Sequence, residues 1–136
     1  MNLKLGSINV RGLGDRFKRR ETFNWMRFKK MSIYFLPETH CMENNQHNWK
    51  AEWGYQALFS CHSSKKAGIV ILFNNNFNLQ IQKSYSDPGG RFIICHLITN
   101  GKQFTLANQY MHLMKMIQIF SWPSLIIYLT SNATKS

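Results

Sequence analysis

The chain has 136 residues, of which 44% are hydrophobic and 14% aromatic, with 17 Lys and Arg against 6 Asp and Glu. That length suits one domain, and the apolar content excludes a disordered tail while being too interrupted for a multispan membrane protein. The net charge of +11 points to a polyanionic partner, and an odd cysteine count argues against a disulfide framework and for a reducing, intracellular compartment.

In chain order, Asn2 to Val10 reads as a strand ended by the turn residues Gly12, Gly14 and Asp15. No signal-peptide pattern is expected there, because the segment alternates and runs into basic residues. Lys18 to Met31 lacks Gly and Pro and carries Phe23 and Met26 three apart, which predicts a helix. Ser32 to Leu36 is a short apolar run stopped by Pro37, so strand, basic helix and strand form a βαβ-like start.

Five β-rich runs follow: Tyr55 to Ser60, Ala67 to Phe73, Phe77 to Tyr85, Arg91 to Thr99 and Lys102 to Tyr110. Turn chemistry separates them, most clearly Asn100-Gly101, a strong hairpin signal. In the last run Phe104, Leu106, Asn108 and Tyr110 fall on one face. Met111 to Leu129 has a helix-like pattern, and its apolar part from Met116 is too short and too interrupted for a membrane span.

Candidate chemistry collects at strand ends. Glu38 follows one predicted strand, Asn9 ends another, and Asn108 with Tyr110 close a third. A carboxylate beside amide oxygens suits a hard cation such as Mg²⁺. The same position also suits a turn-capping Asn9 and a solvated Glu38. Each cysteine adjoins a histidine, as in His40-Cys41, Cys61-His62 and Cys95-His96, but no pair has the spacing zinc prefers. A run of cations that includes Arg11, Lys18, Arg19 and Arg20 could neutralise several phosphates, or could simply be the wet face of the first helix.

Six blocks in order carry a resemblance: Ser7 to Gly12, Phe35 to His40, Trp49 with Glu52 to Gly54, Ala67 to Leu72, Asp87 to Arg91, and Leu106 to Tyr110. Together they resemble the N-terminal part of the endonuclease/exonuclease/phosphatase superfamily, and within it the apurinic-endonuclease-like domain of LINE-type non-LTR retrotransposons. The resemblance implies an α/β (α+β sandwich) class, here an incomplete four-layer, two-sheet fold. It implies Mg²⁺ as cofactor and, together with the basic charge, DNA as partner, while the short and interrupted apolar stretch argues for no membrane. It implies Glu38 as the metal-binding carboxylate with Asn9 beside it. Tyr110 would lie against the scissile phosphate with Asn108 in support, and Arg91 would have a structural role. Pro37 stands where the family usually has Gln.

The family's later Gly-Asp-Phe-Asn and Ser-Asp-His blocks do not occur, and no acidic residue follows Asp87. One carboxylate cannot both hold a metal and deprotonate a nucleophile, so the chain alone is expected to be a DNA endonuclease domain without catalysis. The rival expectation is a non-enzymatic, basic nucleic-acid-binding remnant.

Residues 1–110 form the family-like part and 111–136 a divergent tail. A change of reading frame at Met111 is a hypothesis that would account for that tail. Methionine has one codon, so in the shifted frame Met111-His112 must encode Ala, Met114-Lys115 Glu and Met116-Ile117 Asp. These are the family's expected residues in the expected order. Loss of the second half of a sandwich is further expected to leave Ile69 to Phe73 and Phe92 to Ile98 exposed and prone to aggregate.

Overall fold

The computed structural model describes residues 4–29, 31–62, 67–74, 78–111, 114–121 and 125–130, with side chains described as far as residue 108. Strand β1 (Leu5–Ser7), helix α1 (Arg16–Lys29) and strand β2 (Ile33–Leu36) open the chain. β1 and β2 pair in parallel, with Ser7 opposite Phe35, so the βαβ reading holds. The helix starts two residues earlier than its apolar spacing predicts. Asp15 sets the start, because its Oδ2 accepts the Lys18 backbone N–H at 2.7 Å and satisfies a donor that the first helical turn leaves open.

Helix α2 (Gln46–Trp53) was not legible from periodicity. Only Trp49 and Trp53, one turn apart, are buried on it, and Gln46, His47, Asn48, Lys50, Ala51 and Glu52 make up the rest. Gly54 ends it in the left-handed conformation at φ 88°, its N–H bonded to the Lys50 carbonyl. Strands β3 (Ala57–Ser60) and β4 (Ile69–Phe73) complete a four-stranded mixed sheet in the order β1-β2-β4-β3.

Strands β5 (Gln80–Ser86), β6 (Phe92–Thr99), β7 (Lys102–Met111), β8 (Met114–Ser121) and β9 (Leu125–Thr130) form a second sheet, antiparallel throughout and in sequence order. The Asn100-Gly101 hairpin joins β6 to β7 with Thr99 opposite Lys102. The helix-like pattern after Met111 is overturned: among the described residues, Met114–Ser121 and Leu125–Thr130 are strand, with Asn108 opposite Ile117. Short apolar runs fit either period, and the open edge of β7 supplied a pairing partner that an isolated helix would lack.

Two cores give a layered α+β sandwich. Phe23 and Met26 of α1 and Trp49 and Trp53 of α2 pack on Tyr34, Leu36, Val70 and Leu72 of the first sheet. Ile33, Phe35, Ile69, Ile71 and Phe73, on that sheet's other face, meet Ile93, Cys95, Leu97 and Leu106 of the second. Alternate strand residues thus serve different cores.

Two expectations are corrected by this packing. All five residues of β4 are buried, and β6 is flanked by β5 and β7 while burying every second residue. Neither is an exposed edge. Cys41 and Cys61 are joined in a disulfide with Cα atoms 5.1 Å apart, a spacing typical of the bond, although cysteine arithmetic argued against disulfides. Cys95 is the buried free thiol. No helix among the described residues is long and apolar enough to cross a membrane.

Candidate functional site

Parallel pairing sends β1 and β2 out of the sheet at the same end, and the loops that follow stay bonded to each other. Ile8 N–H donates to the Phe35 carbonyl at 3.0 Å, Gly12 N–H to Glu38 at 2.7 Å and Leu13 N–H to Thr39 at 2.8 Å. Asn9 and Glu38, twenty-nine positions apart in sequence, are thereby brought into contact: Asn9 Nδ2 donates to Glu38 Oε2 at 2.8 Å. Both residues are half-buried.

Asn9 is fixed from its other end as well. Its Oδ1 accepts the Arg11 backbone N–H at 3.0 Å. Lys18 reaches back from α1, its Nζ donating to the Val10 carbonyl at 2.7 Å. Three non-glycine residues of these loops take left-handed backbone angles, Arg11 at φ 51°, Glu38 at φ 54° and His40 at φ 61°. Such angles disfavour side chains and persist where surrounding bonds over-determine the backbone.

Those bonds come from the start of β4. Thr39 N–H donates to the Gly68 carbonyl and His40 N–H to Ala67, while Thr39 Oγ1 donates to Gly68 as well. Gly68 lies at φ 87°, and a Cβ there would stand 3.0 Å from the Cys41 nitrogen. Cys41, three residues after Glu38, is then stapled to Cys61 at the end of β3.

The turn between β5 and β6 packs onto the same end, through Gly68 N–H to the Gly90 carbonyl at 3.2 Å. Arg91 Nε donates to Asp87 Oδ2 at 2.7 Å, and this pair holds the Asp87 carboxyl below its usual range and raises Arg91. Arg91 therefore braces a turn. Asn108 of β7 pairs with Ile93, two residues beyond Arg91, which sets it at this end of the second sheet. It is buried, and among the described residues its Nδ2 finds no acceptor. A buried donor without a partner calls for an explanation. Tyr110 is the last residue but one of β7, beyond Asn108 at the same end, and its side chain lies outside the described residues.

The expected nucleic-acid cations fall into two groups. Arg11, Lys18 and Arg20 are exposed. Arg19 is turned inward: its guanidinium bonds both Glu52 oxygens, donates to the Leu13 carbonyl at 2.9 Å and lies 5.0 Å over the Trp49 ring. The stem of an apparently solvated basic run thus includes one structural residue, whose partner Glu52 was visible only as part of a resemblance block.

The oxygen donors present are compatible with Mg²⁺. Glu38 supplies a carboxylate, and an amide oxygen that has accepted one hydrogen bond, as in Asn9, keeps a second lone pair. Mg²⁺ is ordinarily held by one or two carboxylates together with waters and substrate phosphates. The other five carboxylates are elsewhere: Asp15 caps α1, Glu52 holds Arg19, Asp87 holds Arg91, Glu21 is on the exposed side of α1 and Glu43 is in a 3-10 turn. Among the described residues no group of three His, Cys, Asp or Glu side chains is gathered as a metal site.

The fold and this site define an α+β two-sheet protein with an acid–amide pair at a shared sheet end. Over 110 residues the chain is 26% identical to the Transposon TX1 uncharacterized 149 kDa protein of Xenopus laevis. The likeness covers 81% of this chain and only 8% of that protein, and it supports an origin in a transposable element. No protein-family model matches the chain.

Proposed function

We propose that this chain is the N-terminal portion of a Mg²⁺-dependent DNA endonuclease domain of retrotransposon descent, and that by itself it binds metal without cutting. The observation that carries the reading is the 2.8 Å contact from Asn9 to Glu38. Two residues from separate resemblance blocks meet at a strained, multiply braced loop, where the family's metal carboxylate is expected. The buried Nδ2 of Asn108 at the same end, which finds no acceptor among the described residues, supports a donor directed at an anionic group such as a phosphate.

Catalysis is absent because hydrolysis needs a second group to activate water. With five of the six carboxylates engaged or held elsewhere, Glu38 would serve alone. Mn²⁺ titration of the purified chain, followed by electron paramagnetic resonance, tests the binding half. Glu38→Ala should abolish binding, and Asn9→Ala should weaken it roughly tenfold by freeing the carboxylate to swing. Supercoiled plasmid with Mg²⁺ tests the other half, and nicking that Glu38→Ala removes would overturn the inactive reading.

A second reading, a basic nucleic-acid-binding remnant, is favoured by the exposed cations Arg11, Lys18 and Arg20. Salt-dependent DNA binding that persists in EDTA is its signature.

A further inference from the structure

Helix α1 has an outward face that its inward chemistry does not explain. Arg19, Thr22, Phe23 and Met26 are buried, so the opposite side looks to solvent. Along the middle of that side run Phe17, Asn24 and Phe28, at the i, i+7, i+11 spacing that keeps residues on one face. Phe17 is 72% exposed and Phe28 is 78% exposed. Two phenylalanines that wet, about 16 Å apart along one helix, are costly to solvate and contribute nothing to either core. Trp25 is also partly exposed, with the Lys29 ammonium 5.5 Å from its ring. Arg16 and Arg20 flank the aromatic line on one side and Lys29 on the other, all exposed.

Aromatic faces interleaved with cations match a polyanion that also offers flat apolar surfaces, which describes a single-stranded nucleic acid. A second copy of this chain fits poorly, since each carries a net charge of +11 and like charges would meet. A lipid surface fits less well than a nucleic acid. Glu21 and Asn24 lie between the two phenylalanines and would have to enter the headgroup boundary with them. A nucleobase has polar edges, and Asn24, whose Oδ1 accepts from Arg27 Nη2, keeps its amide N–H groups for them.

We propose that the outer face of α1 docks single-stranded nucleic acid, with Phe17 and Phe28 stacking on bases and Arg16, Arg20 and Lys29 neutralising phosphates. This deepens the nucleic-acid reading above and needs no metal. Lys18, which ties the start of α1 to Val10 beside Asn9, makes the face continuous with the candidate site.

The test is fluorescence anisotropy with the full chain, in EDTA, using labelled oligo(dT) of roughly 16 nucleotides and a duplex of equal length. Single strand should bind more tightly than duplex. Phe17→Ala/Phe28→Ala should weaken single-strand binding by roughly tenfold or more while changing duplex binding less than about twofold. Phe17→Trp/Phe28→Trp should retain affinity. All these positions are exposed, and circular dichroism verifies the fold of each variant. Unchanged single-strand affinity in the double alanine variant would overturn the proposal, as would an equal loss on duplex. So would loss of binding to phosphatidylserine vesicles alone, which would assign the face to a membrane, or a solution dimer that the same variant dissolves. Glu38→Ala should leave oligo(dT) binding intact, so failure of the metal reading and failure of this one are separate results.

Discussion

Arg19 on α1 and Glu52 on α2 are linked at 2.9 Å, with the Arg19 side chain 8% exposed and that of Glu52 30% exposed. The same guanidinium donates to the Leu13 and Gly14 carbonyls, so one side chain ties two helices to the loop that follows Asn9. Removing the acid strands a buried cation. Glu52→Ala should therefore destabilise the fold by about 3 kcal/mol, and urea denaturation of variant and parent measures it. A smaller loss is expected for Glu52→Gln, which keeps a hydrogen-bond acceptor.

Gly12 is required by both backbone and space. It lies at φ 86°, and a Cβ would stand 2.6 Å from His40 Nδ1. Gly12→Ala should cost about 1–3 kcal/mol and displace the His40 loop, lowering Mn²⁺ affinity along with stability. Gly14→Ala is the control, since nothing lies within 4 Å of its would-be Cβ. Equal effects at both positions would contradict the steric account.

Acid should loosen the turn between β5 and β6. The Asp87 carboxyl is held below its unfolded value, chiefly by its hydrogen bond with Arg91. Its contribution is complete above the unfolded carboxyl value of about 3.9 and is lost as pH falls through the lower folded one. Stability measured from pH 6 downward should decline less steeply in Asp87→Asn than in the parent, after allowing for a lower starting stability.

Thiol titration should separate the three cysteines. Burial pushes the Cys95 thiol up to about 11, and Cys41 and Cys61 are paired. The native chain at pH 8 should show no fast-reacting thiol, the unfolded chain one, and the unfolded and reduced chain three. Cys41→Ala/Cys61→Ala should lower stability by about 3 kcal/mol, as expected for a loop of this length.

Gene sequencing tests the frame change at Met111. His112, Leu113, Lys115 and Ile117 should be encoded by CAC, CTA, AAG and ATC, so that the shifted frame reads Ala-Pro-Asn-Glu-Asp-Asp-Pro after Tyr110. Other codons at these positions would remove the explanation.

Much of the architecture was legible because its signals are local. The strand, helix and strand of residues 5–36, and five later strands separated by Gly, Asn and Pro turns, follow from side-chain period and turn chemistry. Helix α2 escaped because its two buried residues make too thin a stripe among polar neighbours. Strands β8 and β9 were misread because Met, Ile and Leu in short runs fit either period and the deciding partner, β7, lies outside the window. Glu38 and Asn9 were visible as residues, whereas their contact was not.

By itself, then, the order of residues determined helix α1 and strands β1 to β7, and that a lone acid follows the second strand. Tertiary structure alone decided that Asn9 orients that acid, that Arg19 turns inward while Phe17 and Phe28 turn out, and that Cys41 meets Cys61. Conformational preference is set within a few neighbours along the chain. Hydrogen bonds, ion pairs and disulfides depend on distances through space, and those exist only once parallel strands and two stacked sheets have brought remote segments together.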